Sequence, residues 1–169
     1  MERSSSFAPV SDPSARVLVL GSMPGQVSLK AQQYYAHPRN AFWKILEGVT
    51  GVSPTAPYRV RTQGVIAARI ALWDVLASCV RPGSLDADIV RASVQPNDFD
   101  RFFQEHPQIE VICFNGAAAE AEYLRHVAPL RLSAGARLVR LPSTSPAHAA
   151  MTFEHKARIW RSALQGTDF

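Results

Sequence analysis

Runs of consecutive apolar residues, each closed by glycine, proline or asparagine, alternate along the chain with stretches in which apolar residues return every third or fourth position. Residues 17–20 end on Gly21-Ser22-Met23-Pro24-Gly25, and residues 70–75 continue through 76–80 to Arg81-Pro82-Gly83. Residues 109–114 end on Asn115-Gly116, and residues 137–141, two arginines among them, make a fourth strand before Pro142. Short apolar runs bounded by turn signals read as buried strands. Between them, Phe42, Ile45, Leu46 and Val49 share one helical face, as do Phe99, Phe102 and Phe103 after Asp98. Ala119, Tyr123 and Val127 form a third such face, and Phe153, Ala157, Trp160 and Leu164 a fourth. A short helix over 60–68 and a long loop after Gly25 complete the pattern. Strands alternating with helices imply a parallel sheet covered on both faces and joined by right-handed crossovers. The expected fold is therefore α/β: a three-layer α/β/α sandwich around a central, mainly parallel four-stranded sheet. Residues 17–169 form its single domain, after a loose Ser- and Pro-rich segment over 1–16.

In such a sheet, ligands bind outside the carboxyl ends of the strands. Gly21 to Gly25, Leu72-Trp73-Asp74, Asn115-Gly116 and Pro142 to Ala147 all fall at those ends, so one cleft collects them. The glycines let backbone N–H groups approach a ligand closely.

The composition narrows the class. A chain of 169 residues can bury a real core. Eighteen Lys plus Arg against fourteen Asp plus Glu give a mild net charge of +4, compatible with a polyanionic partner. Only Lys30, Lys44 and Lys156 are lysines, so arginine carries most of the positive charge. Arginine suits phosphate geometry, although a GC-rich genome gives the same bias. Cys79 and Cys113 lie apart within apolar runs and cannot make a zinc or iron–sulfur ligand set, so they read as buried thiols in a reducing cytoplasm. Neither a secretory apolar core near the start nor a membrane-length run is present, which points to a cytoplasmic protein without membrane contact.

The stretch from Gly21-Ser22-Met23-Pro24-Gly25 to Tyr34-Tyr35-Ala36-His37-Pro38-Arg39-Asn40-Ala41-Phe42-Trp43 resembles the first motif of the uracil-DNA glycosylase superfamily, most closely its hypoxanthine-DNA (deoxyinosine) glycosylase branch. Leu141-Pro142-Ser143-Thr144-Ser145-Pro146-Ala147 resembles the second motif. The resemblance spans about residues 17 to 164 and implies base-excision repair: hydrolysis of the N-glycosidic bond of a deaminated base, hypoxanthine first. It also implies a partner, double-stranded DNA with a flipped damaged base, and a monomer that needs no cofactor and no metal. The iron–sulfur cysteines of some branches are missing, and no lysine lies in either motif, which favours hydrolysis by water over a Schiff base.

Such an enzyme must stack and read the extruded base, position a water and stabilise the charge that develops as the bond breaks. Tyr35 stands where mismatch-specific uracil glycosylases carry an aromatic ring before Ala-His-Pro, and is the expected stacking platform; Tyr34 is a weaker one. Met23 departs from the Asp or Asn that positions water in most relatives. The hypoxanthine branch shares this departure, and there a later asparagine takes over, which is Asn40 here. Asn40 also reads as a helix N-cap, and the two roles are compatible. Asp74 aligns with the base-reading asparagine of the superfamily. A carboxylate accepts only, so it suits the N1–H of hypoxanthine and not the bare N1 of adenine. Pairing of Asp74 with an arginine such as Arg81 is the structural alternative, and Asn115 is a second candidate reader.

Ser22, Met23 and Gly25 are expected to line the base pocket together with the amides near Gln26. Ser143, Thr144 and Ser145 are expected on flanking phosphates, with Ala147 and His148 at the loop that enters the duplex gap. His148 is also a candidate acid for the leaving base, and His37 and Arg39 are candidate phosphate contacts. His155 and Lys156 read as surface residues. Two rivals stand beside this reading: a uracil or thymine mismatch glycosylase, and a non-catalytic nucleotide- or damaged-DNA-binding module on the same fold.

Overall fold

A computed structural model describes residues 2–130 and 135–166. In chain order its elements are β1 (Arg3–Ser5), β2 (Val17–Gly21), α1 (Gln26–Ala31), α2 (Phe42–Thr50), α3 (Tyr58–Ala67), β3 (Ile70–Asp74) and β4 (Leu76–Val80). There follow β5 (Gln95–Pro96), α4 (Phe99–Glu105), β6 (Val111–Asn115), α5 (Ala117–His126), β7 (Arg137–Leu141) and α6 (Phe153–Gln165). The central sheet has the order β3-β2-β6-β7, and every pairing in it is parallel. The alternation of side chains along β2 divides the interior in two. Leu18 and Leu20 pack with Phe99, Phe102, Ala119 and Tyr123 beneath α4 and α5. Val17 and Val19 pack with Phe42, Ile45, Leu46, Trp160 and Leu164 beneath α2 and α6. This is the expected three-layer sandwich, and it sets the ends of β2, β3, β6 and β7 along one edge.

Several elements differ from the sequence reading. The apolar run 70–80 is not one strand: it turns at Val75, and β4 leaves the central sheet to pair antiparallel with β1 and β5. A continuous apolar run carries no mark of which sheet each half joins. Within the segment read as loose, residues 3–16 make fixed contacts. Arg3–Ser5 pairs with Ser78–Val80, Val10 and Leu72 exchange backbone hydrogen bonds, and Ala15 is buried. The Trp73 indole N–H donates to the Phe7 carbonyl, and the Tyr34 hydroxyl donates to that of Ala8. Three polar residues in β1 could not advertise a strand by hydrophobic pattern. The loop after Gly25 contains α1, whose six residues are too few to show a helical period. Phe153 begins α6 but lies largely exposed, beneath the Lys44 ammonium at 5.9 Å, rather than on the buried stripe.

Candidate active site

At the carboxyl ends of the central strands lies a cleft of about 500 Å³, lined by residues 21–28, Tyr34, Tyr35, His37, Asn40, Asp74, Asn115 and residues 143–147, together with Ser84, Leu85 and Asp86. The convergence read from the strand ends is therefore present, with one further contributor.

Its floor is built by β2 and β3. Gly21 and Asp74 are register partners at the last position of each strand. A Cβ at Gly21 would stand 2.5 Å from Asp74 Oδ1, so only glycine admits the carboxyl group there. Asp74 is 3% exposed, and among the described residues its Oδ2 has no hydrogen-bond partner. Burial raises its pKa to about 7, with the Arg81 charge opposing the rise and Asp86 adding to it. Arg81, also buried, donates to the Pro24 and Gly83 carbonyls instead of forming the arginine–Asp74 pair considered above.

Tyr35 shares this floor. Its backbone takes the left-handed conformation (φ 54°), unusual for an aromatic residue, and its ring lies 4.1 Å from that of Phe42 at 34°. Among the described residues its buried hydroxyl makes no hydrogen bond of good geometry; burial, then the Asp74 charge, pushes its pKa up, and the Asn115 side chain opposes the rise. Tyr34 is different: it is core, its hydroxyl and carbonyl both bonded.

The opposite wall is the loop after β7, and here the polar groups are paired with one another. The Asn115 side-chain amide donates to Thr144 Oγ1 and accepts from the Thr144 N–H, each at 2.9 Å. The Thr144 carbonyl accepts from the Ala41 N–H, so one residue ties the ends of β6 and β7 to the start of α2. A Cβ at Gly116, whose φ is +93°, would meet Ser143 Cβ at 3.0 Å; glycine permits this close approach. From α6, Trp160 donates to the Pro142 carbonyl and Lys156 Nζ to those of Ser143 and His148. Lys156, expected at the surface, is 4% exposed and belongs to this clamp; burial lowers its pKa.

These bonds alter the expected phosphate set. Thr144 is buried with its hydroxyl engaged, which removes it from the surface available to phosphate. Ser143 and Ser145 line the cleft, and their hydroxyls accept from the N–H groups of Ser145 and Ala147. Ala147 stands exposed at the lip, but His148 is not among the lining residues, and its Nδ1 is buried without a partner. Asn40 lines the cleft, and its Oδ1 accepts from the Phe42 N–H at 2.9 Å as α2 begins; Ala41 holds the cap position itself. His37 also lines the cleft and accepts from the Arg39 N–H through Nδ1, whereas Arg39 is exposed outside it.

Near the mouth, Met23 both lines the cleft and packs into the core. Gly25 precedes α1 with an ordinary φ of −70°. The Gln26 N–H already donates to Ser84 Oγ, and the Gln26 side chain donates to the Gly83 carbonyl. The Ser22 hydroxyl donates to Asp86 Oδ1 at 2.6 Å. Ser84, Leu85 and Asp86 were absent from the sequence expectation. The turn Arg81-Pro82-Gly83 was the available signal, because it reverses the chain at the site edge. Among the described residues, no group of three or more His, Cys, Asp or Glu is placed to hold a metal ion, and no helix is long and apolar enough to cross a membrane.

A model of the uracil DNA glycosylase superfamily matches residues 8–164. A hypoxanthine DNA glycosylase from Methanosarcina acetivorans is 35% identical over 160 residues, 94% of this chain and 96% of that protein. One from Methanosarcina barkeri is 35% identical over 111 residues, 65% of this chain and 69% of that protein. The solution NMR structure of a candidate uracil DNA glycosylase from M. acetivorans superposes with a TM-score of 0.81 at 30% identity, covering 99% of this chain and all of that one. Shared sequence, shared architecture and a cleft assembled from both recognisable motifs agree: the chain belongs to the uracil DNA glycosylase superfamily.

Proposed function

We propose that the chain hydrolyses the N-glycosidic bond of deaminated bases in double-stranded DNA, hypoxanthine first, as a monofunctional and monomeric glycosylase acting on a flipped nucleotide. The observation that carries this reading is Asp74, a buried carboxyl at the cleft floor with an unpaired oxygen. Deamination of adenine turns N1 from an acceptor into an N–H donor, and deamination of cytosine does the same at N3. An ionised Asp74 accepts from the new N–H and meets lone pair against lone pair with the normal base. Discrimination by a buried polar mismatch is the effective kind. The names of the two Methanosarcina relatives favour hypoxanthine over uracil, as does Met23, whose thioether cannot orient a water.

The remaining groups take complementary roles. Tyr35 supplies a ring for stacking and an unpaired hydroxyl beside the reading carboxyl. Asn40 retains one lone pair on Oδ1 and its N–H groups, enough to hold a water. As the bond breaks, its electron pair leaves with the base and the water oxygen adds to C1′. No lysine lines the cleft, and the buried Lys156 already donates to two carbonyls, which supports water as the nucleophile.

Single-turnover cleavage of matched duplexes carrying one hypoxanthine, uracil or xanthine, with alkali to reveal abasic sites, tests the proposal. Dominant cleavage at hypoxanthine is expected. Dominant cleavage at uracil would move the chain to another branch, and binding without an abasic product would favour a damage-binding module. The pH profile tests the reader. If ionised Asp74 accepts the N–H, the rate rises with pH through about 7; the charges facing it are those of Arg81 and Asp86, beside the neutral Tyr35 hydroxyl. A rate that falls through that range would make Asp74 a proton donor instead.

A further inference from the structure

The cleft holds a second carboxyl group that neither motif supplies. We propose that Asp86 is a further catalytic residue, the carboxylate at the cleft mouth that faces the sugar, stabilises its positive charge and receives the proton of the attacking water. This rests on the glycosylase reading.

The geometry of a purine gives the argument. N1, the position that tells hypoxanthine from adenine, lies on the opposite side of the base from N9, which bears the sugar. With N1 against buried Asp74, N9 and C1′ point away from the floor toward the mouth. Asp86 lines the cleft there, exposed where Asp74 is buried. Its Oδ1 accepts from the Ser22 hydroxyl at 2.6 Å, which fixes the side chain in the cleft. The unpaired Oδ2 of Asp74 and unpaired hydroxyl of Tyr35 independently mark the space between as a ligand site.

Asp86 is also held as a built part of the site. Its turn is anchored to the first motif by Ser84 to the Gln26 N–H, by Gln26 to the Gly83 carbonyl and by Arg81 to the Pro24 carbonyl. A negative group aimed at a cation-like transition state is a recurrent device of glycoside cleavage, and two carboxyls in different environments can divide reading from charge stabilisation. The C1′–N9 bond breaks with its electron pair going to the base. The water oxygen bonds to C1′ and its proton passes to Asp86, which returns it to solvent, while the base takes up a proton from solvent. One water is consumed and Asp86 is regenerated.

The test is Asp86→Asn, with Ser22→Ala as a second variant that keeps the charge but releases its tether. Single-turnover cleavage of a hypoxanthine duplex is read beside binding of a duplex carrying an uncleavable hypoxanthine nucleotide, and thermal melting reports folding. Asp86→Asn is expected to lower the rate constant by roughly 100-fold while binding stays equal or tightens, because a negative charge near the phosphates is removed. Ser22→Ala is expected to lower the rate by roughly tenfold, more than it weakens binding. Carbon-13 NMR of the Asp74 carboxyl should show its titration moving to lower pH in Asp86→Asn. A rate within threefold of the parent, or rate and affinity falling together, would overturn the role of Asp86 while leaving the glycosylase intact. A parent protein that releases no base from any duplex would instead remove the glycosylase reading, and this inference with it.

Discussion

The two walls of the cleft are opposites in their hydrogen bonding. On the wall after β7, Asn115 and Thr144 bond each other, and Lys156 and Trp160 hold three carbonyls. On the floor beneath β2 and β3, Asp74 Oδ2 and the Tyr35 hydroxyl are buried with no partner. A buried polar group left unpaired destabilises a fold by about 1–3 kcal/mol, and native proteins keep few of them. The satisfied wall therefore serves shape, and the unsatisfied floor is where a ligand completes the bonding. The Ser-Thr-Ser cluster that looked richest in contacts is partly internal scaffolding. The carboxyl at the end of an apolar strand and the tyrosine hydroxyl beside it are what remain open.

This contrast can be broken experimentally. The largest effect should come from Asn40, which faces both ways, bonding Phe42 through one lone pair and leaving the rest to the cleft. Asn40→Ala is expected to lower the single-turnover rate constant by roughly 100-fold with DNA affinity changed less than about threefold. Intact cleavage would show that another group positions the water. Next comes the paired wall. Lys156→Met should lower unfolding free energy by about 2 kcal/mol, read from the urea midpoint, because two carbonyls lose their donor. Unchanged stability would mean the clamp is ornamental.

The smallest effect sharpens the comparison from the other side, because filling the floor should stabilise the protein where filling a core would not. The folded pKa of Asp74, about 7, lies above its ordinary 3.8, so its contribution to stability is complete below 3.8 and is lost as pH rises through 7. Asp74→Asn should therefore stabilise the protein at pH 8 and leave it unchanged near pH 3, measured by denaturation at both. The same variant should change base preference before it abolishes cleavage. Equal gains at both pH values would show that the carboxyl's charge is not what the fold resists.

The layered fold was legible because β2, β3 and β6 are apolar runs, and three of the four helical stripes pack into the core, with Val49 and Phe103 half-buried. Asp74 and Asn115 could be placed in the site for the same reason, since they end strands in a parallel sheet. Asp86 was not legible: it follows a turn in a polar segment without period, and only the reversal of β4 brings it beside Ser22. Lys156 was misread because charge predicts exposure, and nothing local in a helix reveals two carbonyls awaiting a donor in a preceding loop. His148 was drawn in by its chemistry and its neighbours in sequence, yet it does not reach the cleft lining.

The opening segment of the chain bears on the order in which the protein can be born. Residues 3–10 leave the ribosome well before their partners, for Ser6 hydrogen-bonds Ala77, 71 positions later. They must remain unpaired until β3 and β4 have been synthesised, several seconds at ordinary rates of translation. Trp73 and Tyr34 meanwhile wait with an indole N–H and a hydroxyl that have no acceptor until Phe7 and Ala8 close over them. A shortened message that began translation at Val17 would yield a sheet with this seam open beside the cleft, exposed to proteases from its first moments.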